Sequence, residues 1–317
     1  MTTAITVAET SAVQNQNRFD GLLVDRFIKF AGVCEKSALT YKIALRQLCK
    51  YFAVNAVNQP TRADLENWRD GLIAEKKSPS TIQLYLTAAK IFFRWLSQEG
   101  RYPNIADNLK ARVKINHEHK KDALTAQQAG ALIKSFTGQS LKVKRDRAIF
   151  ALMATAGLRT VEVSRASVGD MTEQFGRVYL LIQGKGRSSK DARVLLPAQV
   201  VNLIREYLTA RGEVTAESPL FTSTANRNRG QSLSTQSISK MVKATFRAAG
   251  YDTPRLTAHS LRHTAATTMI IAGVDLPQVQ QVLRHVNINT TMIYNNAVAR
   301  MKNMAEQTAA DAIFNSF

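Results

Sequence analysis

Three of the five histidines, His259, His263 and His285, fall within a window of 27 residues. The segment Thr257-Ala-His-Ser-Leu-Arg-His-Thr264 reads as the start of a helix, so His259 and Arg262, three positions apart, project from one face. Such a pair can grip an anion with the guanidinium fork while the imidazole exchanges a proton. A histidine simply packed at a helix start has the same spacing, and both readings stay open on these residues alone. His259 and His263 stand four apart, yet no His-Glu-x-x-His pattern or carboxylate cluster accompanies them, so no metal site is expected.

The elements that must hold these residues are mostly helical. Tyr41, Leu45, Leu48 and Phe52 recur at helical spacing after Ser37, the expected cap. Leu65, Trp68 and Leu72 follow Pro60-Thr61, with Asp64 placed for a capping box. Ile82, Tyr85, Ala89, Phe92 and Leu96 form a further stripe, opened by Ser78-Pro79 and closed by Gly100. With an earlier stripe at Leu22, Phe27 and Phe30, residues 18–107 read as a four-helix domain behind a flexible lead, 1–17. Residues 108–122, dense in charge and weak in apolar period, read as a solvated linker.

A second domain, 123–317, opens on a capping box at Thr125 and Gln128. Helical stripes run through 129–136, 149–155, 200–208, 237–248, 260–272 and 276–283, and Gly157 ends the second. Arg177–Ile182 and 192–196 are rich in β-formers and flank a basic turn, which predicts a hairpin. The fold class is therefore mainly α, with a small antiparallel β-sheet in the second domain.

Composition narrows the partner. The chain has 317 residues and a net charge of +19, with 45% apolar and 21% charged residues. Those fractions suit a globular protein, while the charge points to a polyanion: nucleic acid or an acidic membrane surface. The excess is uneven, at +4 for 1–107, +3 for 108–122 and +12 for 123–317. No apolar run suggests a membrane span, and no Lys or Arg precedes Arg18, as a signal peptide would require. Cys34 and Cys49 are too few for a disulfide framework, which fits a reducing, cytoplasmic or nucleoid-associated setting.

Distant segments become informative when taken in order: Thr155-Ala-Gly-Leu-Arg-Thr-Val-Glu-Val163, Gly184-Lys-Gly186, His259-Ser-Leu-Arg262, Leu283-Arg-His285 and Thr290-Thr-Met-Ile-Tyr294. This ordered set, with His285 nine residues before Tyr294, strongly resembles the tyrosine recombinases of the phage-integrase and Xer type. The resemblance covers the whole second domain, and the four-helix domain is similar to that family's core-binding domain. It implies a two-domain, C-shaped clamp on duplex DNA that acts without cofactor or metal.

Carried over by position, the resemblance makes Tyr294 the nucleophile that forms a 3′-phosphotyrosyl link and frees a 5′-hydroxyl. Arg159 and Arg262 would hold the non-bridging oxygens, and His285 would hydrogen-bond the phosphate. Lys185 would protonate the leaving oxygen, His259 would assist proton transfer, and Glu162 would support them. A tyrosyl hydroxyl with a pKa of about 10 is a weak nucleophile until its proton is accepted and the developing charge is held. Two arginines and a lysine supply that field. The turn after Gly184 is longer than the family's usual one, so Lys190 or Arg187 could replace Lys185. Arg284 stands where the family usually has Gly, as an added DNA contact or a solvated charge, and His263 matches a packing position.

Met301, Met304, Ala305, Ala309, Ala312 and Ile313 form one stripe in the tail, 300–317. That tail either folds onto its own domain or, as the family implies, docks in a neighbouring protomer to build a homo-tetramer on DNA. The expected function is site-specific strand exchange between two duplex sites. The alternatives are a type IB topoisomerase-like nicking and resealing enzyme, or an inactive architectural DNA-binding protein.

Overall fold

The computed structural model describes residues 19–112, 122–184 and 189–315. The chain divides into two compact units, Met1–His117 and Glu118–Phe317.

The first unit holds four helices: α1 (Gly21–Phe30), α2 (Glu35–Val54), α3 (Arg62–Ala74) and α4 (Pro79–Gln98). Local chemistry starts most of them. The Asp20 carboxylate accepts from the backbone N–H groups of Leu22 and Leu23, at 3.0 and 3.1 Å. Asp64 and Thr61 exchange bonds in a capping box, and Ser78 caps α4 ahead of Pro79. Leu45, Leu48 and Phe52 of α2, Trp68 of α3, and Phe92 and Leu96 of α4 meet in one core.

Three local expectations change here. Glu35 begins α2, with Cys34 at the cap position, so Ser37 lies inside the helix, its hydroxyl 3.3 Å from Cys34 Sγ. On α1 the buried face is Leu23, Val24 and Phe27, while Leu22 and Phe30 are exposed. Of the expected stripe only Phe27 is buried, since a helix of ten residues offers few apolar repeats to fix its inner face. The start of the supposed solvated linker also joins the core: Leu109 is buried, and the Lys110 carbonyl accepts from the buried Arg69 at 3.3 Å.

In the second unit α5 (Ala126–Lys134) starts on the Thr125–Gln128 capping box. Next come α6 (Leu141–Ala156) and the short α7 (Thr160–Arg165), then strands β1 (Met171–Gln174), β2 (Arg177–Ile182) and β3 (Ala192–Leu195). Helices α8 (Ala198–Arg211), α9 (Thr235–Ala248), α10 (Ala258–Ile271), α11 (Leu276–Leu283), α12 (Asn289–Lys302) and α13 (Ala305–Phe314) complete it. The strands form an antiparallel sheet in the order β1-β2-β3, with Thr172 opposite Tyr179 and Tyr179 opposite Leu195. Strand β1 had no signal in the sequence: its four residues, Met-Thr-Glu-Gln, are too few and too polar.

Helix α6 is the axis of this unit. Its residues from Ala148 to Ala154 are all buried, and it packs against α8 and α10. A segment apolar all round belongs in a core, and the C-terminal half of α6, which is such a segment, fixes where the helix ends. Beside the main core, Ala266, Val279, Leu283 and Tyr294 form a smaller cluster that joins α10, α11 and α12.

Candidate active site

The site is assembled at the ends of α6, α10 and α11. Gly157 closes α6 in the left-handed conformation, φ +62°, and turns the chain so that Arg159 caps α7. A Cβ on Gly157 would stand 2.8 Å from Leu283 Cδ2, so a side chain there would force Leu283 to shift and would strain the backbone. The Glu162 carboxylate, fully buried, accepts from the Arg159 backbone N–H at 2.8 Å and from Arg159 Nη1 at 2.9 Å. The Arg159 side chain nevertheless stays 29% exposed.

On α10, Arg262 is 1% exposed and its fork is locked by backbone. Nη1 donates to the Gly157 carbonyl at 2.5 Å and Nη2 to the Leu283 carbonyl. These two bonds tie the ends of three helices to one guanidinium. Burial first, then Arg159 and Arg284, press its pKa down to about 9, which leaves it cationic at neutral pH.

His259, exposed, lies edge-on to the buried His263, with ring centroids 4.7 Å apart. His263 in turn lies edge-on to Tyr294, at 5.0 Å. The His285 ring is nearly parallel to the Tyr294 ring, at 11° and 6.2 Å, and its Nδ1 is 2.9 Å from Thr291 Oγ1. Tyr294 itself is 3% exposed. Burial raises the pKa of its hydroxyl, opposed by the nearby Arg262 and Arg159.

The structure thus gathers Arg159, His259, Arg262, His285 and Tyr294 into one cluster. Lys185, Gly186, Arg187 and Ser188 lie outside the described residues. Among the described residues no group of His, Cys, Asp or Glu side chains could hold a metal ion, and no helix is long and apolar enough to cross a membrane.

Comparison with known proteins gives this cluster its family. The phage integrase family model matches residues 122–300, more than half of the chain. The phage integrase N-terminal SAM-like domain matches residues 25–100. A tyrosine recombinase of Synechocystis sp. is 32% identical over 230 residues, covering 72% of each chain. The chain belongs to the phage integrase family, the tyrosine recombinases. The tyrosine recombinase XerC of Lactobacillus delbrueckii subsp. bulgaricus is 29% identical over 272 residues, 82% of this chain and 88% of that one. Among solved structures, the XerH site-specific recombinase bound to palindromic difH substrate shares the fold with a TM-score of 0.70. It does so at 23% identity, over 86% of this chain and 79% of that one.

Within this tyrosine recombinase, the contacts of two residues of the cluster escaped sequence reasoning. Thr291, fully buried, lies in the ordered motif, but nothing in that motif marks it as the partner of His285. Arg284 is not a solvated charge. Its Nη2 donates to Glu162 at 2.8 Å, and only 14% of its side chain is exposed. Lys190, an alternative for the leaving-group acid, is held by Asp170, with Nζ 2.6 and 2.8 Å from the two carboxylate oxygens.

The recombinase's His285 carries a pH signature. Burial, then Arg262, Arg159, Arg284 and His259, lower its pKa from 6.5 to about 4, so the ring is neutral in the native state. The unfolded chain binds a proton there more readily, so unfolding takes one up between those two values. This residue costs nothing above pH 6.5, weakens the fold progressively as pH falls from 6.5 towards 4, and adds no further loss below 4. Thermal unfolding across that window should decline less steeply for His285→Gln than for the parent protein. Parallel curves would contradict a native imidazole held neutral.

Proposed function

We propose that this tyrosine recombinase cleaves and rejoins duplex DNA at specific sites through a 3′-phosphotyrosyl intermediate, with Tyr294 as nucleophile. One observation carries the reading: a buried tyrosine is aligned with a neutral imidazole beside Arg262, whose fork is held by two backbone carbonyls. A rigid cation beside the nucleophile is already in place for the charge that develops on phosphorus, so little reorganisation opposes reaction.

In the first step the Tyr294 oxygen bonds to phosphorus while its proton passes to the His259 imidazole. Arg159, Arg262 and His285 hold the non-bridging oxygens. The bond from phosphorus to the 5′-oxygen breaks, and Lys185 protonates that oxygen to give a free 5′-hydroxyl. Asp170 occupies Lys190, which favours Lys185 for this role. Attack by a 5′-hydroxyl from a second duplex reverses the chemistry and exchanges strands. The phosphotyrosyl bond conserves the energy of the broken diester, so joining needs no nucleotide.

Most of the +19 charge would position the backbone of the duplex. Affinity should then fall roughly a thousandfold between about 50 and 200 mM salt, as measured by fluorescence anisotropy. A nearly flat salt dependence would remove the charge from that role.

Helix α13 supports assembly. Among the described residues none of α13 is buried, and Met301, Met304, Ile313 and Phe314 are exposed. Docked into a neighbouring protomer, this helix would link four copies on two duplexes. Deleting residues 303–317 should abolish DNA-dependent tetramers in sedimentation while single protomers still bind DNA. Unchanged assembly would remove the tail from the interface.

The deciding experiment offers nicked suicide duplexes carrying the recombination site and looks for a denaturant-resistant protein–DNA adduct. No adduct would leave an architectural DNA-binding protein. An adduct with supercoil relaxation but no recombinants from paired sites would mark a topoisomerase-like enzyme.

A further inference from the structure

Arg284 ends α11 in the left-handed conformation, φ 54° and ψ 47°. That region suits glycine and disfavours any residue with a Cβ, so an arginine here bears a conformational cost a glycine would avoid. Its side chain does not go to solvent. Nη2 reaches the fully buried Glu162 across 122 positions of sequence, at 2.8 Å, and Nη1 donates to the Val282 carbonyl at 2.5 Å. Glu162 is therefore divided: one oxygen faces Arg159 Nη1, and the other accepts both Arg284 Nη2 and the Arg159 backbone N–H.

The division decides the charge of the pocket. With Arg159, Arg262 and Arg284 set against one carboxylate, the cluster is doubly positive. With glycine at 284, Glu162 would cancel Arg159 and leave one net positive charge. The pocket is also short of acceptors: among the described residues, the buried Nε atoms of Arg262 and Arg284 have no hydrogen-bond partner. An anion bound beside Arg159 would relieve the charge imbalance.

We propose that Arg284 is a positioning residue for the phosphate pocket: it engages Glu162 from the α11 side, so that Arg159 keeps an uncancelled positive charge for a tetrahedral oxyanion. The assignment rests on the proposed strand-transfer reading for its substrate, the scissile phosphate. The charge arithmetic itself holds for any tetrahedral dianion.

The test follows sodium tungstate binding to the full-length protein by calorimetry at fixed ionic strength, alongside the adduct rate on nicked duplex. Arg284→Gly suits the backbone and removes the charge, and Arg284→Asn, also tolerant of the left-handed region, guards against a glycine-specific folding defect. Each should weaken tungstate about tenfold and slow adduct formation by a similar factor. Arg284→Lys, which keeps the charge, should stay within about threefold of the parent. The double variant Glu162→Gln/Arg284→Gly, doubly positive again, should regain most of the lost tungstate affinity, which a merely structural role for Arg284 would not produce. Parental affinity in both Arg284→Gly and Arg284→Asn, or a double variant no tighter than Arg284→Gly, overturns the proposal. If the parent protein formed no adduct while the tungstate order held, the strand-transfer reading would fall and the assignment of Arg284 would stand.

Discussion

Tyr294→Phe abolishes the covalent adduct, lowering its rate of formation by about 10⁴-fold or more, while affinity for the DNA site changes less than about threefold. The substitution removes one oxygen and leaves the ring. That ring packs with Ala266, Val279 and Leu283 and faces His263 and His285, contacts phenylalanine can keep. The fold therefore loses no more than about 1.5 kcal/mol. On the proposed mechanism the chemistry loses its nucleophile. Gel analysis after denaturation reads the adduct, and anisotropy reads the binding. An adduct persisting at the parental rate in Tyr294→Phe would sink the assignment of the nucleophile.

The second large effect is expected at Arg262, where the proposed catalysis and the architecture share one side chain. Arg262→Ala leaves the Gly157 and Leu283 carbonyls without their donor and opens a void between α6, α10 and α11. Stability should fall by about 2–5 kcal/mol, moderated because Arg159 and Arg284 lose a like-charged neighbour. Adduct formation should slow by about 10³-fold or more. Arg262→Lys separates the two roles, since it keeps the charge but cannot donate to both carbonyls and a phosphate together. It should recover part of the stability in chemical denaturation yet remain about 10²-fold slower than the parent. A lysine variant at full rate would mean that positive charge alone suffices there.

Much of the helical framework was legible because the forces that start a helix act within three or four residues. Thr61 with Asp64, Thr125 with Gln128 and Ser78 before Pro79 are each complete in the local sequence. Where the local signal was thin the reading slipped. Helix α1 was too short to fix its buried face, Ser37 was displaced as a cap by Cys34, and β1 offered four polar or weakly apolar residues. Leu109 was lost in a basic stretch because what buries it is a core built elsewhere in the chain.

The chain's own order of residues determined the chemistry available: a tyrosine, arginines and histidines in the succession that marks a tyrosine recombinase, on a strongly basic protein. Tertiary structure alone decided how those groups are tuned. Glu162 meets Arg284 across 122 positions, and Arg262 meets Gly157 across 105 and Leu283 across 21. Whether an imidazole is neutral, a guanidinium cancelled or a carbonyl occupied depends on distance and burial. Those are properties of where α6, α10 and α11 end in space, which no local pattern of residue types encodes.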